Sequence, residues 1–235
     1  VYKRQLLSLC GGLLRPSAGG VRVGPHDLGK LDETALDRYR AAEVGMVLQG
    51  AERNLLPYLT ARTNVAYAQR AARKAGREVP QVGEVLDLVG ILHRANDPLA
   101  TLTPGERQLC ALAVGIAAYP GLLLADEPTS QLDHGARDTV LRAIAAVNAQ
   151  VGTTVLLVTH DPQVAAALPR TVTIRDGRVG GEGRSGLEYA VVSADGSLPL
   201  PPEVLDTLPP GTLVRLHHRD AAWVIVAEGG ADGSA

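Results

Sequence analysis

The chain has 235 residues, 46% of them hydrophobic and 20% charged. That is enough to bury a core and too apolar for a disordered polymer. The formal net charge of -2 leaves no basic footprint, so nucleic acid is not an expected partner. The longest apolar runs, such as Leu122 to Ala125 and Val155 to Val158, fall far short of the roughly 20 residues of a membrane helix.

Val1-Tyr2-Lys3-Arg4-Gln5 has no hydrophobic pattern joining it to the residues after it. It matches the translation of a sequencing-library adapter, so the natural sequence is expected to begin at Leu6. Leu6 to Leu14 reads as the end of an apolar helix, closed by Gly11-Gly12 and Arg15-Pro16. Val21 to Val23 and Val44 to Leu48 read as strands. Thr63 to Ala75 and Gln81 to Leu92 carry apolar positions at helical spacing, separated by Gly76 and Pro80. Thr103 opens a helix expected to reach Ala118, ahead of Pro120. Leu122 to Ala125 is a wholly apolar strand of the kind buried in a parallel sheet. A helix over Gly135 to Gln150 and a strand over Thr154 to Thr159 come next, and Thr171 to Ile174 turns at Asp176-Gly177 into Arg178-Val179. Cys10 and Cys110 lie in apolar helical contexts and read as reduced thiols of a cytosolic protein.

Strands alternating with helices define an α/β fold with functional groups at the carboxyl ends of parallel strands. Gly180-Gly181-Glu182-Gly183 reads as a linker, giving domains over 1–183 and 184–235. The second is a small β-rich unit with strands near Tyr189 to Val192, Thr212 to His217 and Trp223 to Val226. It also has a turn at Asp195-Gly196, a helix around Pro202 to Leu208, and a tail from Gly229 expected to be disordered.

The chemistry concentrates where the strand Leu122 to Ala125 runs into Asp126-Glu127-Pro128. Adjacent acids at the end of an apolar strand offer one carboxylate for a hydrated Mg²⁺ and one for a water aimed at a phosphate. Upstream, Leu102-Thr103-Pro104-Gly105-Glu106 has the residues of an ordinary capped helix start. A glycine-containing helix start also presents N–H groups and a positive dipole end to a phosphate. His160 closes the strand Leu156-Leu157-Val158-Thr159, on the same sheet edge as Asp126.

Gln49, Leu102-Thr103-Pro104-Gly105-Glu106, Asp126-Glu127, Ser130-Gln131-Leu132-Asp133 and His160 occur in that order. Together they resemble the Q-loop, signature, Walker B, D-loop and H-loop of an ATP-binding cassette, over about Leu6 to Val179. Asn54 to Ala61 with Asn64-Val65, and Gly11 to Gly19, resemble the macrolide-export and lipoprotein-release subfamily. The resemblance implies a RecA-like P-loop NTPase core with a helical subdomain at about 50–118. It implies ATP and Mg²⁺ as cofactors, a second cassette as partner, and an integral membrane permease met from the cytoplasmic face.

It also assigns roles. Asp126 and Gln49 would hold Mg²⁺. Glu127 and His160 would be catalytic, as general base and γ-phosphate contact. Gln49, Thr103, Gly105, Glu106 and Asp133 would contact nucleotide, with Asp133 coupling the two sites of a dimer. Three departures stand against the pattern. No Gly-Lys-Ser/Thr phosphate loop occurs, and Lys30 and Lys74 lie in the wrong contexts. The N-terminal piece carrying that loop is therefore expected to be missing and the chain alone inactive. Pro104 removes a signature N–H, although those of Gly105 and Glu106 remain to face a phosphate; one lost bond costs about 1.5–3 kcal/mol. After the signature the helix reads Gln108-Leu109-Cys110 where the family commonly has an arginine after the glutamine, and nothing in the sequence explains it.

The C-terminal unit, through Gly196-Ser197-Leu198-Pro199-Leu200-Pro201 and Val204-Leu205, resembles the swapped-hairpin domain of transition-state regulators. Alternatives to a transport ATPase are thus a nucleotide-dependent, DNA-binding regulator and a degenerate cassette that does not hydrolyse.

Overall fold

The computed structural model describes residues 2–175, 178–184, 187–192, 196–220 and 222–227. Two units divide the chain, Val1–Ala165 and Ala166–Ala235.

In the first unit α1 (Tyr2–Cys10) precedes a small antiparallel pair, β1 (Arg22–Val23) and β2 (His26–Asp27). Then come α2 (Glu33–Ala42), β3 (Val44–Val47), α3 (Ala61–Lys74), α4 (Val82–Leu88) and α5 (Pro104–Gly115). The unit continues through β4 (Leu122–Asp126), α6 (His134–Val151), β5 (Thr154–Val158) and α7 (Pro162–Ala166). Strands β3, β4 and β5 form a parallel sheet in that order, with Met46, Leu124 and Leu156 in register. The central strand is sealed on both faces, with Leu123, Leu124 and Ala125 at most 1% exposed. Complete burial is what a run without alternation encodes.

The core continues through Val65 of α3, Leu86 of α4, Leu112 of α5 and Val140 and Val147 of α6. Helix α5 lies so close to β3 that a Cβ on Gly45 would sit 1.9 Å from the Gly115 carbonyl oxygen. Only glycine permits that approach, and it sets the depth of the layer between sheet and helices.

Helix α1 starts at Tyr2 rather than Leu6 and stops at Cys10, so Lys3, Arg4 and Gln5 form its first turn. Helix α2 escaped the sequence reading; Asp32 caps it by accepting from the Ala35 N–H at 2.7 Å. The predicted helix over Gln81 to Leu92 breaks at Leu88, because Gly90 turns left-handed at φ 81° and releases the chain into a short 3₁₀ turn. Helix α5 ends at Gly115, short of Ala118.

The second unit holds an antiparallel sheet of β6 (Arg170–Arg175), β7 (Arg178–Arg184) and β8 (Leu187–Ala190), in that order. Helix α8 (Pro202–Thr207) and a separate hairpin of β9 (Val214–Arg219) and β10 (Ala222–Ala227) complete it. The glycine run read as a linker lies inside β7, where Gly181 pairs with Thr173 on one side and Ala190 on the other. Pairing on both edges holds glycine extended there, and the division of the chain falls near Ala165 instead of Gly183. The expected turn at Asp176-Gly177, Asp195 of the second turn and the tail from Gly229 lie outside the described residues.

Candidate functional site at the sheet edge

The carboxyl ends of β4 and β5 build the site. Beyond Asp126 the chain turns sharply at Glu127, whose φ of 50° is left-handed for a residue with a side chain. Such a conformation costs about 1–3 kcal/mol and persists only where neighbours enforce it. They do so here. The Glu127 N–H donates to the Val158 carbonyl at 2.9 Å, tying the turn to β5. The Glu127 carbonyl accepts from both the N–H and the hydroxyl of Ser130, at 3.1 and 2.9 Å.

This clamp aims the Glu127 side chain along the sheet edge to His160, whose Nδ1 donates to Oε1 at 2.7 Å. Facing a carboxylate, Nδ1 must carry the proton, which leaves Nε2 on the outer side of the ring. The imidazole is 79% exposed and the carboxylate 12%. Asp161 comes next and accepts from the Gln163 N–H at 2.8 Å, opening α7. That bond, joined by those from the Val164 N–H and Arg137, holds its carboxyl below the usual range against the opposing effect of burial.

Asp126 points the other way. Its Oδ2 accepts from Arg4 Nε at 2.8 Å, and the same guanidinium reaches Gln49 Oε1 through Nη2 at 2.5 Å. Oδ1 is buried with no partner. Lys3 Nζ donates to the Thr159 carbonyl at 3.0 Å. The sequence reading set both basic residues aside. No signal in the sequence finds them, because two charged residues carry no apolar phase to join to Leu6 and Leu7.

The other expected site residues stand apart. Thr103 Oγ1 accepts from the Glu106 N–H at 3.2 Å, and the Glu106 carboxylate accepts from the Thr103 N–H at 2.7 Å. This reciprocal cap also binds Arg94 at 3.1 Å. The N–H of Glu106, expected to face a phosphate, is therefore spent on the cap, and of the two remaining signature N–H groups only that of Gly105 is uncommitted. The backbone bond from Thr103 is the main reason the Glu106 carboxyl lies below its ordinary range. Gly105 is there for packing as well, since a Cβ would come within 2.9 Å of the Ala136 methyl on α6. Asp133 caps α6, accepting from the Ala136 N–H at 2.8 Å. No hydrogen bond or ion pair among the described residues joins the start of α5 to Asp126, Glu127 or His160.

Asp126 and Gln49 supply the oxygen donors that Mg²⁺ prefers, but a fixed positive charge bridges them. As arranged, these residues do not fit a divalent ion. Among the described residues no cluster of three or more His, Cys, Asp or Glu side chains is placed to hold a metal.

A parallel sheet ending in an acid pair, an imidazole bonded to the second acid, and a capped helix start one element upstream define an ATP-binding cassette. The chain belongs to the ABC transporter family, which it matches over residues 3–130, and is an ATP-binding subunit of the ABC ATPase class. It is 41% identical over 188 residues to the lipoprotein-releasing system ATP-binding protein LolD of Anaeromyxobacter dehalogenans (strain 2CP-C), covering 77% of this chain and 76% of that one. Among solved structures it resembles the dimeric cassette MJ0796 in a post-hydrolysis state bound to ADP and Pi. The TM-score is 0.62 at 29% identity, over 77% of this chain and 80% of that one. It shares its fold with cbiO1 of Clostridium perfringens, part of the cbiONQ complex, at a TM-score of 0.68 and 21% identity, over 77% and 72% of the two chains.

Proposed function

We propose that the cassette drives an integral membrane permease of the lipoprotein- or macrolide-exporting type from the cytoplasmic face, by closing on ATP together with a second cassette. The 2.7 Å contact between Glu127 and His160 carries this reading. Glu127 Oε2, free of partners among the described residues, takes the proton of a water lined up on the γ-phosphate, while His160 Nδ1 fixes the carboxylate. His160 Nε2, on the exposed side, can meet the phosphate only as a second N–H donor, with both ring nitrogens carrying a proton. The start of α5 faces the partner's nucleotide with the Gly105 N–H and the helix dipole. Asp133, at the cap of α6, sits where the two cassettes communicate. Closure comes from ATP bridging the pair, and hydrolysis resets it.

Support for a permease surface comes from Leu48, beside Gln49, and Tyr58, in the segment that follows it, side chains 40% and 79% exposed. No helix among the described residues is long and apolar enough to cross a membrane, so the membrane component is a separate partner in this reading. The homologous LolD, named for lipoprotein release, suggests the direction and substrate class.

No Gly-Lys-Ser/Thr phosphate loop occurs among the 235 residues. The test joins the phosphate loop of a family relative ahead of Lys3, with Arg4→Ser and Gln5→Thr, and monitors phosphate release. In that protein Glu127→Gln is expected to lower release by about 10²-fold or more and to accumulate an ATP-bound dimer on a sizing column. Release at the parental rate would remove Glu127 from the chemistry.

A further inference from the structure

Helix α3 presents a cationic face without an acid of its own. Thr63, Tyr67, Arg70 and Lys74 are exposed and follow one another at three- and four-residue steps, which lines them up on one side of the helix. Arg62 and Arg73 flank that stripe, and α3 contains no aspartate or glutamate. We propose that this face of α3 docks on the anionic phospholipid headgroups of the membrane, so that lipid as well as permease holds the cassette in place. The inference rests on the reading of the chain as a cassette that works at a membrane.

Three observations carry it. Among the described residues none of the four cations, Arg62, Arg70, Arg73 and Lys74, has an ion-pair partner. Arg62 and Arg73 each spend one donor on a neutral amide oxygen, that of Asn96 at 3.0 Å and that of Gln69 at 2.8 Å. A guanidinium has five donors, so most of theirs stay open to an anion. Next, Arg70 lies over the Tyr67 ring, 5.6 Å from its centroid. That contact holds a cation beside an amphipathic ring that is 55% exposed, the pairing that suits the headgroup layer. Last, Ala66 and Ala71 border the stripe with methyl groups alone, so no long side chain keeps a flat surface away from the cations.

The helix dipole accounts for Arg73 and Lys74, which lie in the last turn. It does not account for Arg70 or Tyr67, and it opposes Arg62 in the first turn. Charge then decides the partner. The cytoplasmic leaflet carries a negative surface potential, and each Lys or Arg brought near it raises binding about fivefold. The cytoplasmic loops of membrane proteins are enriched in Lys and Arg, so a permease offers α3 mostly like charge. The formal net charge of -2 leaves the rest of the chain no general attraction for polyanions such as nucleic acid. Tyr58, two residues before the Thr60 cap of α3, belongs to the surface assigned to the permease, so the cationic stripe begins beside it.

The test is co-sedimentation of the nucleotide-free chain with vesicles of phosphatidylcholine, alone or with about a third phosphatidylglycerol. The parent is expected to bind the anionic vesicles at least about tenfold better than the neutral ones. It should be released as salt rises from about 0.1 M to about 1 M, where the screening length falls to about 3 Å. Arg70→Gln with Lys74→Gln should bind at least about tenfold more weakly than the parent. Arg70→Lys with Lys74→Arg keeps the charge and should bind as the parent does. Arg22→Gln with Arg142→Gln makes the same change of net charge on β1 and α6 and should also bind as the parent does. Should the neutral double variant fail to fold, Arg70→Gln and Lys74→Gln singly replace it, each expected to lose about fivefold. Equal binding to both kinds of vesicle overturns the proposal, as does an equal loss in the Arg22, Arg142 variant. Release by millimolar inorganic phosphate at constant ionic strength would mark a single-anion site and overturns it too. So does tighter binding to a single-stranded RNA or a polyglutamate peptide than to anionic vesicles, which would give the face to another partner. No arm involves ATP or Glu127, so failure here leaves the ATPase reading standing, and failure of the Glu127→Gln test leaves vesicle binding standing.

Discussion

Strand β4 and strand β9 are of similar length and lie in different units, yet they depend on opposite resources. In β4 the side chains of Leu123, Leu124 and Ala125 are sealed by strands on both edges and helices on both faces. In β9 every residue is exposed, Leu216 at 63%, and its partner strand β10 carries Trp223 at 68%. A strand sealed from all sides is held by apolar burial. One paired on a single edge is held by its ladder and cross-strand contacts, which alone are marginal. The difference decides where chemistry can be placed. A carboxylate kept at a fixed angle, like that of Glu127, needs the first kind of support.

The sharpest way to break the comparison is at its tightest point. Gly45→Val puts atoms where the Gly115 carbonyl already stands, 1.9 Å from the first added carbon. Overpacking of this degree against backbone is expected to cost at least about 3 kcal/mol, read as a fall in the urea midpoint of the first unit. A loss under about 1 kcal/mol would mean that β3 and α5 separate easily, and the contrast with β9 would fail.

Charge gives the middle-sized effect. Glu106 is held below its ordinary value near 4.5, first by the Thr103 N–H, with burial opposing and the Thr103 hydroxyl, Arg94 and His93 adding to the lowering. A carboxyl whose folded value lies below its unfolded one stabilises the fold above the unfolded value. That contribution disappears as pH falls through the folded value. Glu106→Gln should therefore cost about 1 kcal/mol at pH 7 through the cap and the Arg94 contact. The gap between the variant and the parent should close as both are melted in increasingly acid buffer. A gap independent of pH would assign the loss to shape rather than charge.

The same contrast governs what the sequence made legible. Asp126, Glu127 and His160 stood out because each comes after an apolar run that ends abruptly, and burial of that run forces the next polar group to the sheet edge. The α/β order was readable for the same reason. Glu106 was only half readable. Its residue type announced a cap, but the consequence, an N–H withdrawn from phosphate binding, depends on which of two partners the geometry brings nearer. Gly180 to Gly183 misled because glycine composition looks identical in a linker and in a strand held from both edges. Arg4 could not be read at all, since its meaning lies in Asp126, far along the chain, and in a guanidinium that reaches two residues at once.

The smallest effect tests the exposed side of the comparison. Trp223 is the chain's single tryptophan, and its ring meets His218 edge-on across the hairpin at 5.3 Å between centroids. Such a pair is worth about 0.5–1.5 kcal/mol where it is desolvated, and much of that is forfeited at 68% exposure. Trp223→Ser is thus expected to shift stability by no more than about 0.5 kcal/mol, monitored by far-ultraviolet circular dichroism because the variant has no tryptophan to fluoresce. Area settles how to read a larger number. A tryptophan already in water has little apolar surface left to lose, so a drop beyond about 1.5 kcal/mol requires that the ring be covered in solution. The hairpin would then be one face of an interface, and β9 would draw on burial just as β4 does.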